Sequence, residues 1–259
     1  MRILFFGDIF GKPGRQLVIG NLPALISKHK VDFVIANCEN LADGRGITEK
    51  TLRQLIRFGV DGFTSGNHLW DRDESFGYIA GETKLTKPLN YPNKALGNRS
   101  YIMQKEGLKL EIITICGQVY MPPANSPFEA FDQFWESRDQ SIPLLVDFHA
   151  ESTAEKRAFG WFAEGRAGAV LGTHTHVQTA DEEILPGGTA YITDVGMTGG
   201  HDSVIGVKKN IILQKMTTAM PIRYETSSRG TRINAVIVEI DENTNKATSI
   251  TRINTAIEV

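Results

Sequence analysis

The sequence predicts an α/β protein in which two sheets pack together and helices lie outside them. Strand-like and helix-like segments alternate through roughly the first two thirds of the 259 residues. The last part instead alternates polar and apolar residues, as antiparallel strands with one solvated face do. A chain of this length can bury a substantial core. We therefore expect residues 1–259 to form a single domain.

The N-terminal elements follow from hydrophobic periodicity. The apolar segment "RILFF" predicts a first strand, and "RQLVIGNLPALISKHK" after it predicts a helix. "VDFVIAN" predicts the second strand. In the next helix, "ITEKTLRQLIRFG", the apolar residues Leu52, Leu55 and Ile56 recur at helical spacing, and Gly59 stands where a C-terminal cap is expected. "VDGFTS" predicts the third strand.

Turn and cap residues indicate the later elements. Glu106 and Gly107 mark a hairpin within "SYIMQKEGLKLEIITICG". Pro127 opens the helix "PFEAFDQFWESRDQ", and a Ser/Thr cap opens "STAEKRAFGWFAEG". Apolar runs predict strands at "PLLVDFH", "GAVLG" and "TAYIT". The C-terminal strands are expected at "NIILQKM", "TRINAVIVEID" and "KATSITRINTAI".

Composition argues against several partners. The chain has 28 basic and 30 acidic residues, a net charge of −2, so it gives no electrostatic signal for nucleic acid or a membrane surface. No apolar run approaches the ~20 residues of a membrane helix, and the N-terminus is expected to be a strand rather than a signal peptide. Cys38 and Cys116 are the only cysteines, which favours buried thiols in a reducing cytoplasm over a disulfide framework.

Polar side chains follow six predicted strands in succession. Parallel α/β sheets bind ligands beyond the carboxyl ends of their strands, so these side chains are candidates for one site. They are Asp8 after the first strand, Asn37, Cys38, Glu39 and Asn40 after the second, Asn67 and His68 after the third, then His149, then His174 and His176, and finally Asp194.

Carboxylates, amides and imidazoles are ligands of hard and borderline metal ions. Each residue taken alone is better explained as a cap, a loop residue or a hydrogen-bonded structural residue. Together they would form a costly buried cluster unless a positive charge lay among them. Seven candidate ligands exceed the needs of one ion and suit two ions that share a carboxylate. His174 and His176, two positions apart after a buried strand, would face the same way if strand geometry continued, one imidazole to each ion.

Six segments in this order resemble the calcineurin-like metallophosphoesterases and, within them, the YmdB-like family of bacterial phosphodiesterases. The segments are "GDIFGKPGR", "NCEN", "TSGNHLWD", "VDFHAE", "GTHTHVQTAD" and "ITDVGMTG". The resemblance covers nearly the whole chain. It implies a four-layer α-β-β-α sandwich of the metallophosphoesterase type, a site for two metal ions that are typically iron, and hydrolysis of phosphodiesters, including 2′,3′-cyclic nucleotides.

The resemblance also implies residue roles. Asp8, Glu39, Asn40 and His176 would hold one ion, and Asn67, His149 and His174 the other. Glu39 would bridge the two, and His68 would be the proton donor. The sequence departs from the superfamily in two places, because Phe10 replaces the usual histidine of Asp-x-His and "NCEN" replaces the usual Gly-Asp bridge. An oxygen-rich ligand set leans towards harder ions, so Mn or Mg stays open beside Fe.

These roles give a hypothesis for the reaction. A metal-bridging hydroxide attacks phosphorus in line with the leaving oxygen, and His68 protonates that oxygen. Asp71 either orients the His68 imidazole or caps a helix, and the sequence does not choose between them. His201, in the Gly-rich segment after residue 196, is either a substrate contact or an exposed loop residue.

Two other functions compete with a phosphodiesterase of small substrates. The chain could be a metal-containing regulatory protein that acts through a protein or RNA partner with little catalysis. The complete ligand set with His68 beside it favours chemistry. A nuclease on polymeric RNA is disfavoured because basic residues are not in excess. The oligomeric state is open, a homo-oligomer included.

Overall fold

The computed structural model describes residues 1–257, and within them the chain forms twelve strands and six α-helices. The strands are β1 (Arg2–Ile9), β2 (Phe33–Asn37), β3 (Gly62–Thr64), β4 (Tyr101–Lys105), β5 (Leu108–Cys116), β6 (Leu144–His149), β7 (Ala169–Thr173), β8 (Glu183–Ile184), β9 (Ala190–Ile192), β10 (Met197–Gly200), β11 (Thr231–Asp241) and β12 (Lys246–Ala256). The helices are α1 (Gly11–His29), α2 (Glu49–Arg57), α3 (Phe76–Gly81), α4 (Pro127–Ser137), α5 (Thr153–Ala163) and α6 (Lys209–Thr218). A 3₁₀ turn at Asp73–Ser75 precedes α3.

The strands form two six-stranded sheets. In the first sheet the order is β12-β11-β10-β1-β2-β3, with β11 also pairing with β1. Here β10, β1, β2 and β3 run parallel, while β11 and β12 are antiparallel to their neighbours. The second sheet has the order β4-β5-β6-β7-β9-β8, and its four central strands are parallel. The two sets of parallel strands carry their polar ends to one edge of the molecule.

Three apolar layers separate the sheets and helices. Along β1, Ile3 and Phe5 belong to the cluster between the two sheets, while Leu4 and Phe6 belong to the cluster under α1 and α2. This alternation follows from the two-residue period of a strand. A third cluster, which includes Phe159 of α5, covers the other face of the second sheet. The layers are therefore helix, sheet, sheet and helix, which confirms the predicted α-β-β-α sandwich.

Most predicted elements form where the sequence places them. The turn at Glu106 and Gly107 joins β4 to β5, and both residues have positive φ, as a tight hairpin turn requires. Gly59 has φ +102° just after α2. Within residues 1–257 no helix is both long and apolar enough to cross a lipid bilayer.

One predicted strand was wrong. The segment "NIILQKM" lies in helix α6 and not in a strand. Ile212 is buried against Phe10 and Met197, whereas Leu213 and Met216 are exposed. A short apolar run has no period that separates strand from helix, and here packing on one side only selected the helix.

Candidate functional site

The polar residues at the strand ends meet at one place, and the closest group surrounds the imidazole of His149. Its Nε2 lies 3.1 Å from Glu39 Oε1, 3.1 Å from Asn67 Oδ1 and 3.1 Å from His174 Nδ1. One ring nitrogen cannot form good hydrogen bonds to three such atoms at once. Four donor atoms that converge on one another in this way are typical of a coordination shell, and Glu39, His149 and His174 form a candidate metal-binding group.

A second group adjoins the first. His176 Nε2 lies 3.7 Å from Asp8 Oδ1, and Asp8 Oδ2 accepts the backbone N–H of His174 at 3.1 Å. Asp8 Oδ1 and Asn40 Oδ1 are both buried without a hydrogen-bond partner among residues 1–257. An unpaired buried oxygen is costly, so Asp8 Oδ1 beside His176 indicates a ligand with positive charge, and Asn40, which follows Glu39 in the chain, is a further candidate.

Each imidazole of the cluster has one nitrogen held from outside it and the other facing inward. The outer contacts are His149 Nδ1 to Thr173 Oγ1 at 2.9 Å, His174 Nε2 to Glu151 Oε2 at 3.1 Å and His176 Nδ1 to the carbonyl of Ile205 at 3.0 Å. Metal-ligating histidines are held in this way because the outer partner sets the tautomer and the ring orientation. This arrangement fits a metal site better than it fits three structural histidines.

The backbone also makes room at the centre. A Cβ on Gly66 would lie 2.3 Å from His149 Nε2 and 2.5 Å from Glu39 Oε2. Any larger residue there would fill the space between these two donor groups. Glycine at this position allows the loop after β3 to pass close to the cluster and to present Asn67 and His68.

The turn that carries His174 and His176 is not an extension of β7. The strand ends at Thr173, and both histidines have positive φ, +96° and +65°. Strand geometry therefore does not continue past Thr173, and the expectation that it would align the two imidazoles was wrong. Asp194 holds the turn instead, since its Oδ2 accepts the backbone N–H of Thr175 at 3.0 Å and the Thr175 hydroxyl at 2.7 Å.

A buried ion pair lies beneath this turn. Lys156 of α5 is almost fully buried, and its Nζ lies 2.7 Å from Asp194 Oδ2 and 2.7 Å from the carbonyl of Thr173. The ammonium neutralises Asp194 and ties the end of β7 to the turn. Asp194 thus belongs to the site as a positioning residue. Lys156 had no distinctive signal in the sequence, because it occupies an ordinary position in an amphipathic helix.

A second buried carboxylate supports the site from below. Asp147 accepts hydrogen bonds from Asn37 Nδ2 at 2.9 Å and from the hydroxyls of Thr64 and Thr173. Burial raises the pKa of Asp147 to about 7 despite these bonds. Thr173 in turn contacts His149 Nδ1, so Asp147 helps to fix that imidazole. Alternation along β6 alone did not distinguish Asp147 from a surface residue.

Burial and mutual charge set the protonation of the central group before any cation is added. Burial would raise the pKa of Glu39, but the charges of His149 and His68 and their hydrogen bonds together outweigh it and lower that pKa to about 2. Burial would lower the pKa of His149, but Glu39 raises it to about 9. Burial and then the charge of His149 lower the pKa of His174 to about 3. Burial raises the pKa of Asp8. Glu39 and His174 are thus in the ligating forms at neutral pH.

His68 lies next to the cluster without joining it. Its backbone N–H donates to Glu39 Oε2 at 2.8 Å, which fixes the residue against the shared carboxylate. Its Nδ1 lies 2.7 Å from Asp71 Oδ2, so Asp71 orients the ring and does not cap a helix. Arg45 contacts the same carboxylate and was not singled out in the sequence. The His201 ring lies 2.9 Å from the carbonyl of Met197, and the His201 backbone N–H donates to the carbonyl of Gly230.

Comparisons with known proteins identify the family of the chain. The sequence pattern of the family described as YmdB-like protein matches residues 4–253. The chain is 44% identical over 254 residues to a Bacillus subtilis protein named 2′,3′-cyclic-nucleotide 2′-phosphodiesterase, covering 98% of this chain and 96% of that protein.

Solved structures extend the similarity to the whole fold. A Mycoplasma pneumoniae protein described as a novel phosphatase superposes with a TM-score of 0.94 at 35% identity, covering 99% of this chain and 93% of that one. A hypothetical protein from Thermus thermophilus gives 0.93 at 36% identity and covers 99% of both chains. These similarities confirm a sandwich of the metallophosphoesterase type, and the chain belongs to the YmdB-like family.

Proposed function

We propose that residues 1–259 form a single-domain, metal-dependent phosphodiesterase of small phosphodiesters such as 2′,3′-cyclic nucleotides. The observation that carries the proposal is the convergence of Glu39, Asn67 and His174 on His149 Nε2. The unpaired buried oxygens of Asp8 and Asn40 support it. The name of the Bacillus subtilis relative supports the choice of substrate class.

The donor atoms suit two cations. We assign Asp8, Asn40 and His176 to one ion, Asn67, His149 and His174 to the other, and Glu39 to both. Imidazole, carboxylate and amide ligands together fit iron, which the family resemblance implies, and also fit Mn or Mg. When bound, such ions would polarise the phosphoryl group and lower the pKa of water at the site.

The chain itself supplies the proton for the leaving group. His68 Nε2 donates a proton to the leaving oxygen as the P–O bond breaks, and Asp71, 2.7 Å from Nδ1, keeps the ring in place. The bond from the His68 backbone to Glu39 Oε2 keeps the donor at a fixed place relative to the shared carboxylate. In a 2′,3′-cyclic nucleotide the leaving group is a ribose alkoxide, which needs a proton more than a nitrophenolate does.

Hydrolysis with and without metal tests the proposal. Protein stripped by chelator and reloaded with Fe, Mn or Mg would be assayed on 2′,3′-cyclic AMP, 3′,5′-cyclic AMP and bis(p-nitrophenyl) phosphate. We expect turnover that chelator abolishes and metal restores, highest on 2′,3′-cyclic AMP among the nucleotides. Metal-loaded protein that hydrolyses none of the three would support a regulatory binding protein instead.

A further inference from the structure

Arg45 places a guanidinium at the mouth of the site. Its Nε contacts Asp71 Oδ2 and lies 3.2 Å from His68 Nδ1. The side chain is nevertheless 67% exposed, and within residues 1–257 its Nη1 and Nη2 form no hydrogen bond or ion pair. One edge of the guanidinium is therefore held against the proton donor, while the other edge is free to meet a ligand.

The loop that carries Arg45 is held by the side chain of Asn40, which is a candidate metal ligand. Asn40 Nδ2 donates to the carbonyl of Gly44 at 3.1 Å, so the residue whose Oδ1 is left unpaired also fixes the backbone next to Arg45. Gly44 has φ +90°, and a Cβ there would lie 2.5 Å from Phe10. These contacts leave the loop little room to shift.

Arg72 fixes the same loop from its other side. Its guanidinium donates to the carbonyl of Ala42 at 2.9 Å and to the carbonyl of Arg45 at 3.2 Å. Gly46 has φ +76°, and a Cβ there would lie 2.7 Å from the Arg72 side chain. Arg72, from the loop after β3, thus bonds to backbone carbonyls of the Arg45 loop, whereas Arg45 itself contacts His68 and Asp71.

Charge explains why a cation at this position matters. The site is lined by the carboxylates of Asp8, Glu39 and Asp71, and the buried ammonium of Lys156 is already paired with Asp194. A phosphodiester that approaches beside His68 would meet Asp71 unless a cation screened it. The planar guanidinium carries donors that match two phosphate oxygens at once, which a lysine ammonium does not.

We propose that Arg45 is a substrate-binding residue that holds the non-bridging phosphate oxygens through Nη1 and Nη2 while Nε stays on Asp71. This proposal rests on the proposed function and adds to it an anchor that no metal ligand supplies. The anchor would place the phosphorus relative to His68, because both side chains share the carboxylate of Asp71.

Variants of Arg45 can be tested without unfolding the protein. An exposed ion pair of this kind contributes little to folding, so Arg45→Gln should unfold at the wild-type temperature. Arg45→Lys keeps the positive charge but loses the planar guanidinium, whose donors match two phosphate oxygens at once. Arg53→Gln is the matched control, since Arg53 pairs with Glu49 on the exposed face of α2.

The measurement is inorganic phosphate binding to Mn-reloaded protein by calorimetry, beside KM for the cyclic nucleotide and for bis(p-nitrophenyl) phosphate. For Arg45→Gln we expect the Kd for phosphate and both KM values to rise ~10- to 100-fold, the range for loss of a charged hydrogen-bonded contact. Arg45→Lys should recover only part of the loss, and Arg53→Gln should match wild type.

Two outcomes would overturn the proposal. One is an unchanged phosphate Kd in Arg45→Gln. If only kcat on the cyclic nucleotide fell in that variant, Arg45 would be a positioning residue for His68 and not a substrate-binding residue. The other is wild-type protein that binds no phosphate. Wild-type protein that binds phosphate through Arg45 but hydrolyses no diester would refute the proposed function and leave the anchor standing.

Discussion

The carboxylate of Asp71 lies 2.7 Å from Nδ1 of His68, three residues away along the loop after β3. The ring is thereby fixed with Nε2 as its free nitrogen, beside the cluster of Asp8, Glu39 and the three histidines. A partly exposed imidazole that is held in this way can carry a proton to a bound substrate. We therefore expect Asp71 to influence the reaction through His68.

Replacing the imidazole should separate substrates by their leaving groups. In His68→Ala the metal content should persist, because His68 contacts Glu39 only through its backbone. Turnover of a cyclic nucleotide should fall ~10²–10⁴-fold, whereas bis(p-nitrophenyl) phosphate should be affected far less. Steady-state kinetics on both substrates would check this. An equal loss on both would remove His68 as the acid.

Asp71→Asn tests the orienting role. The amide can still accept a hydrogen bond from Nδ1 but no longer stabilises an imidazolium, so kcat on the cyclic nucleotide should fall about tenfold, or ~1.4 kcal/mol. In the background of His68→Ala the same change should have almost no further effect on kcat, because the two residues act as a unit in proton transfer. Asp73→Asn on the exposed 3₁₀ turn is the control. Additive losses in the double variant would contradict the pairing.

Glu39→Gln tests the shared carboxylate. The amide keeps the shape of Glu39 but loses the negative charge that we assign to both ions, so elemental analysis should find both metals lost. Glu49→Gln, on the exposed start of α2, should keep them. Two ions retained by Glu39→Gln would refute the bridging assignment.

The buried ammonium beneath the His174–His176 turn should be essential for its shape. Lys156→Met leaves Asp194 charged and unpaired, which costs ~3–5 kcal/mol of unfolding free energy. Adding Asp194→Asn removes that charge and should recover part of the stability but not the metal content, because Thr175 loses a charged acceptor. Denaturant unfolding measures the stability of each variant, and elemental analysis measures its metal content. Lys208→Met, at an exposed ion pair, should change stability by less than ~1 kcal/mol.

Metal removal should lower stability as well as activity. A ligand bound by the folded state alone stabilises it by ~4 kcal/mol when its concentration is a thousandfold above Kd. Chelator should therefore lower the calorimetric unfolding temperature, and readdition should restore it. Glu39→Gln protein should not respond to chelator. If chelator removed the bound metal but left the unfolding temperature of the wild-type protein unchanged, the cluster would be stable without cations.

Local sequence was sufficient to predict most of the polar side chains that the structure brings together at the site, while their assignment as ligands remains a proposal. Asp8, Glu39, Asn67 and His149 could be identified because each follows a short apolar strand, and parallel strands deliver their ends to one edge of a sheet. Hydrophobic periodicity and turn residues likewise predicted most strands and helices up to β9, but they missed the short elements α3 and β8. Periodicity also failed at α6, where a short apolar run fits both a strand and a helix.

The sequence by itself determined that polar side chains gather at the ends of the parallel strands, while only the tertiary structure decided how they are held. Lys156 meets Asp194 across 38 residues and Arg45 meets Asp71 across 26. Such pairs leave no local periodicity, because the partners come from different elements that meet only when the layers pack. The positive φ of His174 and His176 has the same origin, since the contact of Thr175 with Asp194 sets that turn and strand propensity does not.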